Sequence, residues 1–152
     1  MKSILHEVKL NGDEAVRKFT LQFDKADISE LRVSDAEIDQ AGRSLPAELK
    51  QAITTAKNNI EKFHAAQLKE IEFVETMPGV QCWRRSTPIE KVGLYIPGGS
   101  APLFSTILML AIPARLAGCQ EIILCSPPNT AGQLNPAILF TAGIAGITKF
   151  SE

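Results

Sequence analysis

Apolar side chains recur every three to four residues over residues 1–67, which predicts a series of amphipathic helices. Asn11-Gly12 is a typical helix stop, so a short first helix is followed by a second one. Ser34 and Glu37 have the spacing of a capping box, in which each side chain bonds the backbone amide of the other residue, and they predict the start of a third helix. Pro46 suits the first turn of a fourth. The first half of the chain is therefore predicted to be helical.

The spacing of apolar residues changes after Leu68. Extended segments on either side of turn-forming residues 77–80 predict a hairpin, with residues 81–87 as its returning strand. Strands then alternate with helices: strands at Lys91–Ile96, Glu121–Cys125 and Ile147–Phe150, and helices at Leu103–Ala117 and Gln133–Ala142. This alternation predicts right-handed crossovers and a parallel sheet. Pro113 lies inside the first of these two helices and is expected to kink or break it near Met109.

These elements predict an α/β chain made of two units. Residues 1–88 form a helical segment with a β-hairpin, and residues 89–152 form an incomplete Rossmann-like βαβαβ unit with a parallel sheet. A parallel sheet needs helices on both faces, and no helix follows the third strand before Glu152. We therefore expect half of a doubly wound domain, whose remainder lies beyond Glu152.

Composition and charge narrow the classes of partner. The 152 residues are 45% hydrophobic, which is enough to bury a sizeable core. The net charge is −1, and neither sign forms a long block of the kind that binds nucleic acid or anionic lipid. The longest apolar run, Ala101–Pro113, is shorter than the roughly 20 residues of a membrane span, and residues 1–20 lack the apolar core of a secretory signal. We expect a cytoplasmic protein that binds neither nucleic acid nor membrane.

Cysteines and histidines do not indicate a metal site. Cys82, Cys119 and Cys125 are odd in number, lack CxxC spacing and have apolar neighbours, which favours reduced, buried thiols over a disulfide or a zinc site. His6 and His64 are far apart and have no helical partner at metal-binding spacing, so solvated or capping roles are favoured. No metal ligand is assigned in this chain.

Pro97-Gly98-Gly99, between the first parallel strand and the next helix, is a candidate ligand-binding loop. Open α/β sheets bind ligands at such carboxyl strand ends, adjacent glycines admit a bulky group, and amides at a helix start hold phosphate. Tyr95 would place its ring near this position. A tight turn, with Tyr95 as an ordinary strand residue, explains the pattern equally well. The fingerprint GxGxxG is absent, and the second strand ends at Leu124–Pro128 without the acidic residue that normally holds the ribose, so a standard Rossmann site is excluded.

Three segments resemble histidinol dehydrogenases. The most specific is VGLYIPGGSAPLFSTILMLAIPARLAGCQEIILCSPP at Val92–Pro128, and GDEAVRKFTLQFDK at Gly12–Lys25 and NNIEKFHAAQ at Asn58–Gln67 support it. The resemblance runs in order over nearly the whole chain. It implies a fold similar to aldehyde dehydrogenases, with two Rossmann-like domains. It also implies a cytoplasmic, homodimeric, zinc-dependent enzyme of histidine biosynthesis that oxidises L-histidinol through L-histidinal to L-histidine with NAD.

The resemblance also implies which functional residues this chain carries. Tyr95 matches the tyrosine of the family that contacts NAD, and Gly98 and Gly99 fall in the accompanying loop. The zinc ligands, the proton-handling histidine and glutamate and most histidinol contacts come from later segments of the family, so no catalytic residue is assigned before Glu152. Family members usually begin upstream of Met1 as well. We expect the 152-residue chain to be inactive alone, with a non-catalytic nucleotide- or partner-binding module that uses its open sheet edge as the alternative.

Overall fold

The computed structural model describes residues 1–98, 103–147 and 149–151. Five helices and five strands follow one another within this part of the chain. In order they are α1 (Lys2–Phe23), α2 (Asp35–Ser44), α3 (Ala47–Ala65), β1 (Phe73–Met77), β2 (Val80–Trp83), β3 (Lys91–Tyr95), α4 (Phe104–Leu116), β4 (Glu121–Cys125), α5 (Pro136–Ala145) and β5 (Lys149–Ser151).

The helical first half follows the local signals of the sequence. Helix α1 is interrupted at Gly12, whose φ of 54° and ψ of −132° are not helical, so the predicted stop after Asn11 is confirmed. The capping box at the start of α2 is also confirmed, since Ser34 Oγ accepts a bond from the Glu37 amide at 3.3 Å and Glu37 Oε2 accepts one from the Ser34 amide at 2.8 Å. Hydrogen bonds from the Ser34 hydroxyl and amide hold the pKa of Glu37 below its ordinary value. Glu37 is therefore a carboxylate at neutral pH, at the helix end that favours negative charge.

Strands β1 and β2 form the predicted antiparallel hairpin, although the second strand ends at Trp83 rather than at residue 87. Phe73 lies opposite Trp83, and their ring centroids are 5.4 Å apart. Every residue of both strands is exposed. Cys82 therefore lies in the open, and the expectation of three buried thiols is wrong for this residue. The apolar neighbours that suggested burial are themselves on the exposed hairpin.

The other two thiols are partly buried. All three cysteines are free, and Cys119 and Cys125 have intermediate exposure. Burial raises the pKa of the Cys125 thiol, so this group is a neutral thiol at neutral pH. None of the described helices is long and apolar enough to cross a membrane.

The second half contains the predicted parallel sheet, in the order β3-β4-β5. Gly93 pairs with Ile123 and Tyr95 with Cys125, and both pairings are parallel. Helix α4 continues through Pro113 to Leu116, so the expected break there is wrong. Proline removes only its own backbone donor, and the later residues of the helix keep theirs.

Buried residues from both halves meet in one apolar cluster. Ile53 of α3 is 1% exposed and belongs to the same cluster as Ile112 of α4 and Leu124 of β4. Helix α2 packs against α5, and α3 packs against α4. Arg115 of α4 also forms an ion pair with Glu61 of α3. The division of the chain at residue 88 into two units remains a prediction.

Candidate cofactor-binding site

The carboxyl ends of β3 and β4 lie side by side and define the candidate site. The backbone amide of Ile96 donates to the Cys125 carbonyl at 2.9 Å, which extends the parallel pairing one step past Tyr95. Because side chains alternate along a strand, Ile96 is fully buried towards the helices, whereas Tyr95 lies on the opposite face and is 64% exposed. The tyrosine is thus accessible to a ligand, and the apolar cluster does not need its ring.

Gly98 lies where the loop after β3 meets the loop after β4. A Cβ atom added to Gly98 would come within 2.8 Å of Pro127 Cγ, closer than a real methyl group can approach. This contact explains why glycine is needed at residue 98 even before a ligand is considered. Gly99, the third residue predicted for the cofactor loop, lies outside the described residues.

A cleft of about 570 Å³ opens beside these two loops. Its walls come from the end of β3, the segment after β4, the start of α5 and one side of α2. The described lining residues are Val33, Glu37, Gln40, Ala41, Ser44, Pro97, Gly98, Ser126, Pro127, Pro128, Asn129, Gln133, Leu134, Asn135, Pro136, Ile138 and Leu139. The volume lies within the usual range of small-molecule sites, and the position at carboxyl strand ends is where open α/β sheets bind ligands.

Several polar side chains around the cleft form hydrogen bonds within the local structure. Asn129 Oδ1 accepts from the amides of Ala131 and Gln133 at 2.9 and 3.0 Å, which closes the turn after β4. Asn135 Oδ1 accepts from the Ala137 amide at 2.9 Å and caps α5. The Ser44 hydroxyl donates to the Ala41 carbonyl at 2.9 Å. These three side chains are explained by local structure.

Ser126 is different, because its hydroxyl has no such explanation. The residue is 2% exposed, and its Oγ has no hydrogen-bond partner among the described residues. A buried hydroxyl without a partner costs about 1–3 kcal/mol, so Ser126 is a candidate for bonding a water molecule or a ligand. Sequence reasoning missed Ser126, although a serine directly after a buried parallel strand and before Pro127-Pro128 was visible in the sequence.

The described residues do not assemble a metal site. No group of three or more histidine, cysteine, aspartate or glutamate side chains converges within residues 1–98, 103–147 and 149–151. His6 is exposed on α1, and the His64 ring on α3 is nearly perpendicular to the Phe63 ring, at a centroid distance of 5.4 Å. The part of the chain that the structure describes therefore does not form a zinc site.

Comparison with known proteins identifies the family of this chain. The family model described as histidinol dehydrogenase matches residues 1–152. The chain belongs to the histidinol dehydrogenase family. The resemblance seen in the three sequence segments is confirmed, and it extends over the whole chain.

Histidinol dehydrogenases from two genera illustrate the degree of similarity. The one from Bacteroides fragilis is 54% identical over 98% of this chain, and the one from Salmonella typhimurium is 52% identical over 98%. This chain covers 35% and 33% of those two relatives, so it spans about a third of their length.

A solved structure of the family supports the fold. The crystal structure of histidinol dehydrogenase from Elizabethkingia anophelis matches 99% of this chain with a TM-score of 0.96 and 51% sequence identity, and 35% of that protein is covered. The α/β fold, with its helical first half, hairpin and parallel strands, is therefore that of the corresponding part of a histidinol dehydrogenase. The match agrees with the interpretation of the sequence as a front portion of the family.

Proposed function

We propose that this chain is the front part of an enzyme that oxidises L-histidinol through L-histidinal to L-histidine in the cytoplasm, and that it contributes to the NAD site. The observation that carries the proposal is the identity of 52–54% to histidinol dehydrogenases over 98% of the chain. Those relatives are about three times as long as this chain, so the reaction is proposed for the family-length protein and not for these residues alone.

NAD fits the residues that the structure describes. Tyr95 presents an exposed ring at the end of β3, Gly98 allows the two strand-end loops to touch, and Ser126 offers an unsatisfied hydroxyl in the adjoining cleft. When bound, NAD would accept the hydride removed from the substrate carbon. The contribution of this chain is to bind and orient the cofactor, with Tyr95, Gly98 and Gly99 as the proposed contacts.

Zinc and histidinol are proposed to bind elsewhere in the family-length protein. The described residues hold no group of three or more potential metal ligands, so zinc is proposed to be bound by other segments of that protein. The proton-handling groups and the metal ligands are likewise proposed for segments outside residues 1–152, and the family-length enzyme is proposed to be a homodimer. We therefore propose no catalytic residue and no metal ligand within residues 1–152.

The isolated 152-residue chain is expected to form no NADH from L-histidinol, NAD and zinc, because it contributes cofactor contacts only. The measurement is NADH absorbance over hours, with a full-length histidinol dehydrogenase as the positive control. Turnover above the no-protein blank would contradict the proposal that the catalytic groups lie outside this chain.

Tyr95→Phe is expected to weaken NAD binding two- to tenfold, because one hydrogen bond contributes about 0.5–1.5 kcal/mol. Folding stability should stay within about 0.5 kcal/mol of the parent, since Tyr95 is exposed. Calorimetric titration with NAD measures the effect, and Trp83→Phe on the exposed hairpin is the matched aromatic control. Equal NAD affinity in the parent and Tyr95→Phe would remove Tyr95 from the site.

A second candidate is a non-catalytic module that binds a protein partner. It is favoured by the described sheet, where β3 and β5 are the outer strands, and by exposed apolar side chains on the hairpin, among them Phe73, Met77 and Trp83. The NAD titration separates the candidates, because a module of this kind requires no NAD affinity.

A further inference from the structure

The cleft beside the strand ends has two polar groups that the fold leaves available. One is the Ser126 hydroxyl, which is buried and has no partner in the described part of the chain. The other is Glu37, whose two bonds from Ser34 both end on Oε2. Oε1 of Glu37 accepts no hydrogen bond from a described residue. Both residues line the same cleft.

The charge of the cleft indicates which part of a ligand it would hold. Glu37 is the one charged side chain among the described lining residues, and it is negative. A phosphate group would be repelled there, whereas a neutral group with several hydroxyls could donate to the carboxylate and accept from or donate to the serine. The cleft therefore suits the sugar of a nucleotide, with its phosphates outside.

Strand β4 lacks the residue that usually performs this task. In doubly wound dinucleotide sites, an aspartate or glutamate after the second strand bonds the ribose 2′-hydroxyl and favours NAD over NADP. Here the segment after β4 reads Ser126-Pro127-Pro128, with no acid. Glu37 lines the cleft at this segment but comes from α2, on a different part of the chain.

We infer that Glu37 and Ser126 bind the ribose hydroxyls of the adenosine half of NAD, an inference that rests on the proposed function. The carboxylate of α2 takes the place of the missing acid after β4. Tyr95 and Pro97 are two residues apart, about 7 Å of extended chain, so one dinucleotide can reach both the tyrosine and the cleft.

Glu37 also caps α2, and the test must separate the two roles. Glutamine at the third position of a helix keeps a capping box, because its side-chain oxygen still accepts from the Ser34 amide. Glu37→Gln therefore removes the charge and retains the cap. Asp39→Asn removes the same charge from the exposed side of the same helix, outside the cleft, and serves as the control for long-range electrostatics.

Ser126→Ala separates the roles in a second way. If the hydroxyl has only a structural role, its removal should lower stability. If it awaits a ligand, removal should leave the melting temperature unchanged or raise it, since an unsatisfied buried group is lost, while ligand affinity falls. Under the inference, Ser126→Ala therefore lowers the affinity for the ligand without lowering the melting temperature.

The experiment is a titration of the 152-residue chain and each variant with NAD and with NADP, followed by two-dimensional amide NMR spectra. The two probes differ only in the 2′-phosphate on the adenosine ribose. We expect Glu37→Gln to raise the Kd for NAD about tenfold and to narrow the preference for NAD over NADP, because a charged hydrogen bond is lost. Asp39→Asn should stay within twofold of the parent. Ser126→Ala should raise the Kd for NAD about fivefold without a lower melting temperature.

Each contrary result overturns a stated claim. If Glu37→Gln matches Asp39→Asn for both ligands, or Ser126→Ala keeps the parent affinity, the inference fails while the proposed function stands on the Tyr95 result. If NAD perturbs no amide of the parent chain, the proposed function and the inference fail together. If Glu37→Gln lowers the helix content, its change in NAD affinity has a structural cause. The Ser126→Ala titration then tests the inference.

Discussion

Gly98→Ala is expected to lower the free energy of unfolding by about 1–3 kcal/mol, which is the usual cost of overpacking a close contact. The added methyl group would lie 2.8 Å from Pro127 Cγ, and a proline ring has little freedom to move away. The loops after β3 and β4 would have to separate, which changes the cleft that they border. We therefore also expect weaker NAD binding. Urea denaturation measures the change in the free energy of unfolding, and calorimetric titration measures the change in NAD affinity.

Gly93→Ala is the matched control for this prediction. Gly93 lies within β3, the strand that precedes the loop of Gly98, and a Cβ atom built there has no neighbour within 4 Å. Its alanine variant should have a stability within about 0.5 kcal/mol of the parent, or slightly above it, because alanine restricts the unfolded chain. Equal stability of the two alanine variants would show that the contact between residue 98 and Pro127 does not constrain the loops.

Local signals in the sequence were sufficient to predict most elements of the fold. The interruption of α1 at Gly12 and the capping box of Ser34 and Glu37 depend on residues within four positions of one another, and the structure has both. The strands at Lys91–Tyr95 and Glu121–Cys125 follow from short apolar runs between turn residues. Most predictions that depended only on neighbours in sequence were confirmed, but the break expected at Pro113 was not.

The cleft could not be predicted in this way. Glu37 and Ser126 are far apart in the chain, and the sequence offers no rule for which helix packs beside the end of β4. The same limit explains Cys82, since its apolar neighbours indicated burial although the hairpin that carries them is exposed. Burial and site geometry depend on which elements pack together, and periodicity within one element contains no information on that choice.

Ile53→Ala is expected to lower the free energy of unfolding by about 2–5 kcal/mol, a large part of the 5–15 kcal/mol typical of a whole domain. Ile53 is 1% exposed, and its side chain belongs to the cluster that also contains Ile112 and Leu124. The loss of three carbon atoms leaves a cavity between α3 and the second half of the chain. Urea denaturation followed by circular dichroism measures the change. Ile89→Ala, at a residue that is 69% exposed, is the control and should change stability by less than about 0.5 kcal/mol.

The same variant tests whether residues 1–88 and 89–152 unfold separately. Because buried residues of both halves share one cluster, we expect Ile53→Ala to accelerate hydrogen exchange at the Leu124 amide as well as at amides of α3. Exchange at Leu124 that stays at the parent rate, while α3 is destabilised, would instead support two independent units divided near residue 88. In the expected case, the cleft between α2 and the segment after β4 is held by a single cooperative core. A carboxylate from the first half would then be kept in register with a cofactor bound at the second.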